Sequence, residues 1–314
     1  ALLSHTRLPQ RLNRSTVKGM ENPIHSHGDV MTSYLGLLCQ GKSDFDHIEP
    51  FRKDPVFQTC LGVRKVPSSP TLRQRLDAAA QTMNANWNEI LLQESADLIR
   101  NVKAPVTGLT AGEHTVIPLD IDVSPFDNSG TKKEGVSLTY KGTFGYAPIF
   151  AYLGQEGYSV NVQLREGSTH SQKDGADFLR ESIQYARRIT KERLLVRMDS
   201  AHDSLENLQV CHAEPEVDYI IKVNLRNTSK ESWLRIAEDK GMACEQRPGK
   251  TEYMGVIAFP EKGFDQALRQ VFQVIVRTID REGQMLLFPE IEVNVYWTSL
   301  TCSPWRVIEL YRDH

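Results

Sequence analysis

Residues 116–123 read Val-Ile-Pro-Leu-Asp-Ile-Asp-Val, and this stretch decides the fold. Its apolar side chains alternate with a proline and two aspartates, Asp120 and Asp122, which is the two-residue period of a half-buried strand. The two aspartates are expected on the opposite face, about 6–7 Å apart along the strand. A second apolar run, 193–199, also ends on an aspartate, Asp199. Carboxylates at strand ends favour divalent metal binding, because Mg²⁺ prefers oxygen ligands and takes one or two carboxylates per ion.

The composition is that of an ordinary globular protein. The 314 residues are 40% hydrophobic and 25% charged, with a net charge of −3 and a pI near 6.3. This balance requires no nucleic-acid partner, so any DNA binding must rest on local patches. The five cysteines form no C-x-x-C pair, which favours reduced thiols in the cytoplasm over a disulfide framework or a zinc site. No apolar run reaches the roughly 18–20 residues of a membrane span, so no membrane partner is predicted.

Residues 1–110 are predicted to form a mostly helical N-terminal region. The segment Pro67 to Pro70 is predicted to separate two helices. Thr71 is predicted to cap the second helix, which carries Arg73 and Arg75 near its start. Basic residues at a helix start are candidate DNA contacts. The alternative is an ordinary helical bundle without a DNA-binding role.

Residues 111–223 are predicted to form an α/β core. The order is strand, strand, strand, helix, strand, helix, strand, with a hairpin at Gly154–Gly157 and a capping box, Ser171-x-x-Asp174, before the first helix. This is the order of the ribonuclease H-like fold, a mixed sheet with helices in which the first and fourth strands are neighbours. Asp122 and Asp199 are therefore expected to meet at the carboxyl ends of adjacent strands, where open α/β sheets bind ligands.

Residues 224–300 are predicted to be a β-rich insertion, and residues 301–314 a return to the core. The insertion contains four runs rich in β-branched and aromatic residues, and residues 280–283 are predicted to turn between the middle two. Glu309 is interpreted as a strand residue within the apolar segment 306–311. The four predicted strands are 252–259, 270–279, 284–288 and 291–300.

Taken in order, these motifs resemble the DDE transposases of bacterial insertion sequences, in the branch that has a β-rich insertion in its catalytic core. The run L-D-I-D-V-S at 119–124 resembles the first-aspartate motif and selects Asp122, with Ser124 two residues later. The run R-M-D-S-A-H-D at 197–203 resembles the second motif and selects Asp199. The family more often has Gly, then an aromatic residue or Asn, where Ala201 and His202 stand.

The end of the chain is similar to the approach to the family's third motif, in which a Tyr precedes an Arg by three residues and the catalytic Glu by seven. Tyr311 fits the Tyr, His314 occupies the Arg position with Arg312 close by, and the Glu position is expected beyond residue 314. Glu309 is the alternative third carboxylate within the chain. The run P-S-S-P-T-L-R-Q-R-L at 67–76 resembles the family's helical DNA-binding region.

The resemblance implies a DNA transposase that cleaves and transfers strands with two Mg²⁺ or Mn²⁺ ions. Asp122 and Asp199 are the implied catalytic residues and metal ligands. Asp120 is the rival first ligand, and otherwise a partner for a nearby Lys or Arg. The implied partners are transposon terminal inverted repeats and target DNA, bound as a homodimer on the bacterial nucleoid in the cytoplasm. The candidate DNA contacts are Arg73, Arg75, Lys132, Lys133, Lys141, Tyr311 and Arg312.

Two alternatives stay open. The first is a non-catalytic, DNA-binding remnant of a transposase that lacks the third carboxylate. The second is an unrelated metal-dependent nuclease or phosphatase of the same fold. His170 and His202, near the second motif, are interpreted as surface or cap histidines, because neither H-x-x-x-H spacing nor a nearby Cys indicates a transition-metal site.

Overall fold

The computed structural model describes residues 2–21, 23–226, 228–280 and 282–313, which divide into two compact units. The first unit is Ala1–Ala104 and the second is Pro105–His314. This division falls six residues before the boundary expected at 110. Within the described ranges, no helix is both long and apolar enough to cross a membrane.

The N-terminal unit is helical in its described secondary structure, as expected. Its fourth helix begins earlier than predicted, because Ser68 and not Thr71 is the cap: the Ser68 hydroxyl accepts from the Thr71 N–H at 3.4 Å. Pro70 fits the first turn, where its missing N–H has no helical partner to lose. The helices are α1 Leu8–Arg14, α2 His27–Cys39, α3 Pro55–Leu61, α4 Ser69–Ala80 and α5 Trp87–Asn101, with 3₁₀ segments at Leu2–His5 and Phe45–Lys53.

The second unit contains two sheets and four longer helices among its described residues. Its strands are β1 Leu109–Ala111, β2 His114–Val123, β3 Phe126–Asp127, β4 Ser137–Leu138, β5 Phe144–Tyr146, β6 Ile149–Leu153, β7 Tyr158–Gln163, β8 Leu194–Met198, β9 Val217–Lys222, β10 Met242–Arg247, β11 Lys250–Phe259, β12 Leu268–Ile279 and β13 Met285–Thr298. Its helices are α6 Gly175–Ile189, α7 Leu205–Ala213, α8 Lys230–Lys240 and α9 Pro304–Arg312, with a 3₁₀ turn at Ser200–His202.

The large sheet has the order β10-β11-β12-β13-β9-β8-β2-β6-β7, and β1 pairs with β2. Strand β2 is antiparallel to β6 and parallel to β8, and β8 is parallel to β9. The first and fourth core strands are thus neighbours, as the ribonuclease H-like fold requires. The predicted fold class is confirmed.

Strand β2 is an interior strand of this sheet, between β8 and β6, and its burial explains the motif. Leu119 and Ile121 are 0% and 1% exposed, while Asp120 and Asp122 remain half-buried. After two exposed residues, β2 is buried on both faces from Val116 to Leu119, and Val116 packs in a cluster that includes Val307 of α9. The alternating pattern is therefore clean only at the carboxyl end of the strand.

The β-rich insertion is confirmed in its strand content but is not separate from the core sheet. Strand β13 pairs antiparallel with β9, so the sheet continues from the core into the insertion. The predicted strands 284–288 and 291–300 are one strand, β13, since exposed Pro289 and Glu290 interrupt only the apolar pattern. Helix α8 and strand β10 were not predicted. The predicted turn at 280–283 includes Arg281, which lies outside the described residues.

Two local predictions for the second unit are wrong. The segment 306–311, with Glu309, is not a strand but part of α9, which is capped by the Ser303 hydroxyl. A short apolar run does not distinguish the two by periodicity. Ser171 does not open a capping box, because α6 begins after Asp174, whose backbone is left-handed at φ 54° and whose side chain makes no cap bond.

Candidate active site

Parallel pairing brings the two predicted aspartates together. The register of β2 and β8 pairs Asp120 with Arg197 and Ile121 with Met198, so Asp122 and Asp199 follow side by side. Neighbouring strands lie about 4.8 Å apart. Both side chains are half-buried and line one cleft of about 510 Å³ at the carboxyl ends of the strands.

Each of these carboxylates accepts a backbone hydrogen bond with one of its two oxygens. Asp122 Oδ1 accepts from the Val123 N–H at 2.8 Å, and Asp199 Oδ1 accepts from the Ala201 N–H at 3.0 Å. The second bond starts the 3₁₀ turn after β8, so Asp199 is both a cap and a cleft residue. No hydrogen bond reaches either Oδ2 from the part of the chain that the structure describes. Each carboxylate therefore retains an oxygen that can bind a cation.

Asp120 is engaged in an ion pair. Its two oxygens accept from Arg197 Nε and Nη2 at 2.6 and 2.7 Å, a bidentate arrangement. Arg197 is 3% exposed, and its Nη1 donates to the Leu310 carbonyl of α9 at 2.7 Å. Charge-assisted bidentate pairs of this kind are strong and directional. Asp120 thus has the role of an arginine partner, which sequence reasoning had weighed against metal binding.

Three further side chains share the electrostatic environment of both aspartates. Burial raises the pKa of Tyr140, and the charges of Asp122 and Asp199 raise it further. The pKa of Tyr311 is raised by burial, then by Tyr296 and by the same two aspartates. Burial lowers the pKa of His202, against the opposing effect of the two carboxylates. The aspartates therefore act on one common site.

The two histidines differ. His202 is 1% exposed and lines the cleft, and its Nε2 has no hydrogen-bond partner among the described residues. The interpretation of His202 as a surface or cap histidine is wrong, because the 3₁₀ turn that follows Asp199 buries its side chain. His170 is exposed at the rim, and its Nδ1 accepts from the Gln172 N–H at 3.2 Å, as expected of a cap histidine.

The predicted lysine contacts lie on exposed turns of the small sheet formed by β3, β5 and β4. Lys132 and Lys133 stand between β3 and β4, and Lys141 stands between β4 and β5. The Lys141 ammonium lies 5.9 Å from the ring centre of Tyr140, which lines the cleft. These three cations remain candidate DNA contacts.

The two predicted arginine contacts in the N-terminal unit differ. Arg73 is exposed, with its guanidinium 5.7 Å above the Phe45 ring. Arg75 is only 5% exposed; its Nη2 donates to the His25 carbonyl at 2.8 Å and contacts His27 Nδ1 at 3.1 Å. Burial also lowers the pKa of Arg75. The prediction of a DNA contact is corrected for Arg75, which is a core residue of its unit.

Helix α9 carries the last predicted contacts. Tyr311 is half-buried, with its ring 4.7 Å from that of Tyr296, so its role in DNA binding stays a prediction. Arg312 is exposed, and its Nη2 donates to Gln273 Oε1 at 3.0 Å. Glu309 accepts from Arg306 Nη1 at 2.5 Å on the helix surface. His314 lies outside the described residues.

Within the described ranges, no three His, Cys, Asp or Glu side chains form a group that could hold a metal ion. Asp122 and Asp199 are the pair of carboxylates that the cleft provides. Sequence reasoning missed Tyr140 and Arg226, which also line the cleft. Tyr140 lies in the turn after β4 and Arg226 in the loop after β9, and no periodic pattern in the sequence marks them.

Comparisons with known proteins identify the family of the chain. The sequence matches the family described as transposase DDE domain, group 1, over residues 4–293, which confirms the resemblance to DDE transposases.

The chain is also similar to solved structures. One is a piggyBac transposase in a synaptic complex with hairpin DNA, with a TM-score of 0.38, 12% identity, and coverage of 99% of this chain and 63% of that chain. Another is the Mos1 transposase in a paired-end complex with the left transposon end, with a TM-score of 0.22, 14% identity, and coverage of 60% and 57%. The chain thus spans less than two thirds of the length of either. No curated protein matches it.

Proposed function

This chain belongs to the DDE domain family of transposases, and we propose that it carries out metal-dependent cleavage and transfer of DNA strands at the ends of an insertion sequence. The observation that carries the proposal is the pair of Asp122 and Asp199, side by side at the ends of β2 and β8 in one cleft. Parallel pairing, and not sequence proximity, creates this pair, since 77 residues separate the two aspartates.

The donors in the cleft fit a hard divalent cation. Both are carboxylate oxygens, and Mg²⁺ commonly binds through one or two carboxylates together with substrate phosphate. Arg197 neutralises Asp120, so the negative charge in the cleft is that of Asp122 and Asp199. In our proposal Asp122 and Asp199 would hold the two Mg²⁺ or Mn²⁺ ions of the reaction. When bound, the metal supplies charge neutralisation at the reacting phosphate.

In this proposal the residues of the chain act mainly by positioning the reacting groups and not by reacting themselves. In-line phosphoryl transfer depends on fixing the nucleophile, phosphorus and leaving oxygen in line. The backbone bonds to Asp122 Oδ1 and Asp199 Oδ1 hold both carboxylates at the strand ends. Ser168, Thr169 and Arg226 line the same cleft and offer donors for non-bridging phosphate oxygens. Water is the proposed nucleophile for cleavage, and a freed 3′-hydroxyl for strand transfer.

Metal binding is the first test. Calorimetric titration with Mn²⁺ should show binding to the wild type that Asp122→Asn and Asp199→Asn each weaken about tenfold or more, because each removes one anionic ligand. Asp218→Asn is the matched control: Asp218 lies in the same sheet near the start of β9, paired with Arg193 at 3.0 Å. Equal binding by wild type and both cleft variants would overturn the proposed site.

A cleavage assay then separates the proposed enzyme from a DNA-binding protein without catalytic activity. Nicking of supercoiled DNA that carries the element's terminal repeats should require Mg²⁺ or Mn²⁺. Asp122→Asn should slow it about 10²- to 10³-fold, the usual cost of one lost electrostatic group at the reacting atoms. DNA binding without cleavage at any metal concentration would support the non-catalytic alternative.

A further inference from the structure

The small sheet beside the cleft has one apolar face. Strand pairing places Phe126 opposite Tyr146 and Leu138 opposite Phe144. Side chains alternate between the faces of a strand, so directly paired residues share a face, as do Phe144 and Tyr146 on β5. We call these four residues the apolar face.

The apolar face is exposed to solvent. Phe126, Leu138 and Phe144 are 50%, 53% and 56% exposed, while Tyr146 is half-buried and donates its hydroxyl hydrogen to the Glu134 carbonyl at 2.6 Å. Contiguous exposed side chains of this size are uncommon on a soluble protein and mark interaction sites. The face therefore requires an explanation other than core formation.

Two glycines allow close backbone packing on the opposite side of this sheet. A Cβ at Gly145 would collide with the Phe126 carbonyl, so only glycine lets β3 and β5 approach this closely. A Cβ at Gly167 would meet the carbonyls of Ser137 and Gly145, so the loop after β7 packs directly against the back of the sheet. The apolar face thus belongs to a small sheet that is packed on its other side, and not to a free loop. We call this small sheet the platform.

The platform adjoins the catalytic cleft. Leu138 and Tyr140 line the cleft together with Asp122 and Asp199. Tyr140, in the turn after β4, is itself 67% exposed. At the other side, the Phe126 ring lies 6.0 Å from the Phe150 ring, and Phe150 is the cross-strand partner of Asp122.

Three cations stand on the turns of the small sheet. Residues 126–146 contain three lysines and two acidic residues, a net charge of +1 within a chain of −3. The lysines are the exposed Lys132, Lys133 and Lys141, at the turns that join the three strands. Exposed rings combined with cations are the surface that binds single-stranded nucleic acid, because bases stack on the rings and phosphates pair with the cations.

We propose that the apolar face, with Tyr140, is a stacking platform for unpaired bases next to the phosphate that reacts in the cleft. This inference rests on the proposed function, since a DNA strand must enter the cleft to bring its bases there. Phe144 is the central ring, because it lies on the middle strand opposite Leu138 of the cleft wall. The lysines hold the backbone of the same strand.

The test measures binding of a fluorescein-labelled dT₁₀ oligonucleotide by anisotropy in EDTA, so that the metal makes no contribution. We expect Phe144→Ala and Phe144→Leu to weaken binding about tenfold, in the range of one lost base–ring stack, and Phe144→Tyr to retain it. Phe144→Leu keeps an apolar side chain without the ring, so its loss does not reflect unfolding. Binding of a blunt 20-base-pair duplex should change less than twofold, because its bases are already stacked.

Phe288→Ala is the matched control, since Phe288 is an equally available aromatic residue, 78% exposed on β13. It should leave dT₁₀ binding within twofold of the wild type. The proposal is overturned if the wild type does not bind dT₁₀, if Phe144→Leu binds like the wild type, or if Phe288→Ala or the duplex shows the same loss. The dT₁₀ assay contains no metal, so it is independent of the Mn²⁺ titration. If the wild type binds Mn²⁺ through Asp122 and Asp199 but not dT₁₀, the stacking platform is wrong and the proposed metal site stands. If it binds dT₁₀ through Phe144 but not Mn²⁺, the proposed metal site is wrong.

Discussion

The inner strands of the large sheet, β2 and β8, and the outer strands, β11, β12 and β13, differ in how their polar side chains are paired. In the outer strands, Glu252 is 5% exposed and accepts from the fully buried Gln273 side chain, and Glu292 accepts from Arg277 at 2.8 Å. In the inner strands, Asp122 and Asp199 each keep an oxygen that no described residue occupies. Satisfied polar groups stabilise a sheet, whereas available carboxylates are useful only for binding.

Asp120 shows that the difference is not a property of the strand. It lies two residues before Asp122 on the same strand, yet both of its oxygens are held by Arg197. Its neighbour across the sheet determines its role. Carboxylates of this sheet thus differ in whether a neighbouring side chain pairs with them, and removing the partners one at a time tests what each pair contributes.

The largest effect on stability is expected from Arg197→Met. The change leaves Asp120 without its cation and the Leu310 carbonyl without a donor, and removing one partner of a buried ion pair costs about 3–5 kcal/mol. Urea denaturation followed by circular dichroism measures the loss in the free energy of unfolding. The double variant Asp120→Asn, Arg197→Met should recover much of this loss. A single variant within about 0.5 kcal/mol of the wild type would show that the pair is not structural.

An intermediate effect is expected from Gln273→Leu in the outer strands. Buried Glu252 loses its donor, and a buried group left unsatisfied costs about 1–3 kcal/mol. The contrast is Asp122→Asn, which removes a carboxylate that no long-range partner uses and should change the free energy of unfolding by less than about 0.5 kcal/mol without metal. If Asp122→Asn is the more destabilising change in the same denaturation experiment, the stated difference between the two groups of strands is wrong.

The smallest effect is a pH dependence at Asp203, which joins the two groups of strands. Asp203 accepts from the Asn224 N–H at 2.8 Å and from Trp297 Nε1 of β13 at 3.0 Å, and burial raises its pKa above the usual 3.8, with Glu261 adding to the rise. An acid with a raised folded pKa contributes stability below its unfolded pKa and loses it as the pH rises through the folded value. Stability of Asp203→Asn relative to the wild type should therefore increase as the pH rises from about 3.8.

Asp127→Asn gives the opposite sign and serves as the reference for that titration. Hydrogen bonds from Ser129 lower the pKa of Asp127, so its stabilising contribution is present above its unfolded pKa and is lost on acidification. Thermal melts of both variants and the wild type across pH 3–7 compare the two slopes. Parallel slopes for the two variants would contradict the assignment at Asp203.

Much of the core could be predicted from local patterns. The two-residue period of residues 116–123 gave β2, the apolar run before Asp199 gave β8, and Gly154–Gly157 gave the hairpin. These succeed because a strand buried at the centre of a sheet leaves its burial pattern in the sequence. The order of the elements was then sufficient to place Asp122 beside Asp199.

The ribonuclease H-like order and the candidate pair at its strand ends could thus be predicted from residue patterns alone. It took the folded structure to show that Asp120 is paired whereas Asp122 keeps an available oxygen, because Arg197 lies 77 residues from Asp120 and reaches it through strand register. The burial of Arg75 and His202 and the exposure of Phe144 were likewise decided by packing. Residue type fixes what a side chain is able to do, but its partners across the fold fix which of those roles remains available.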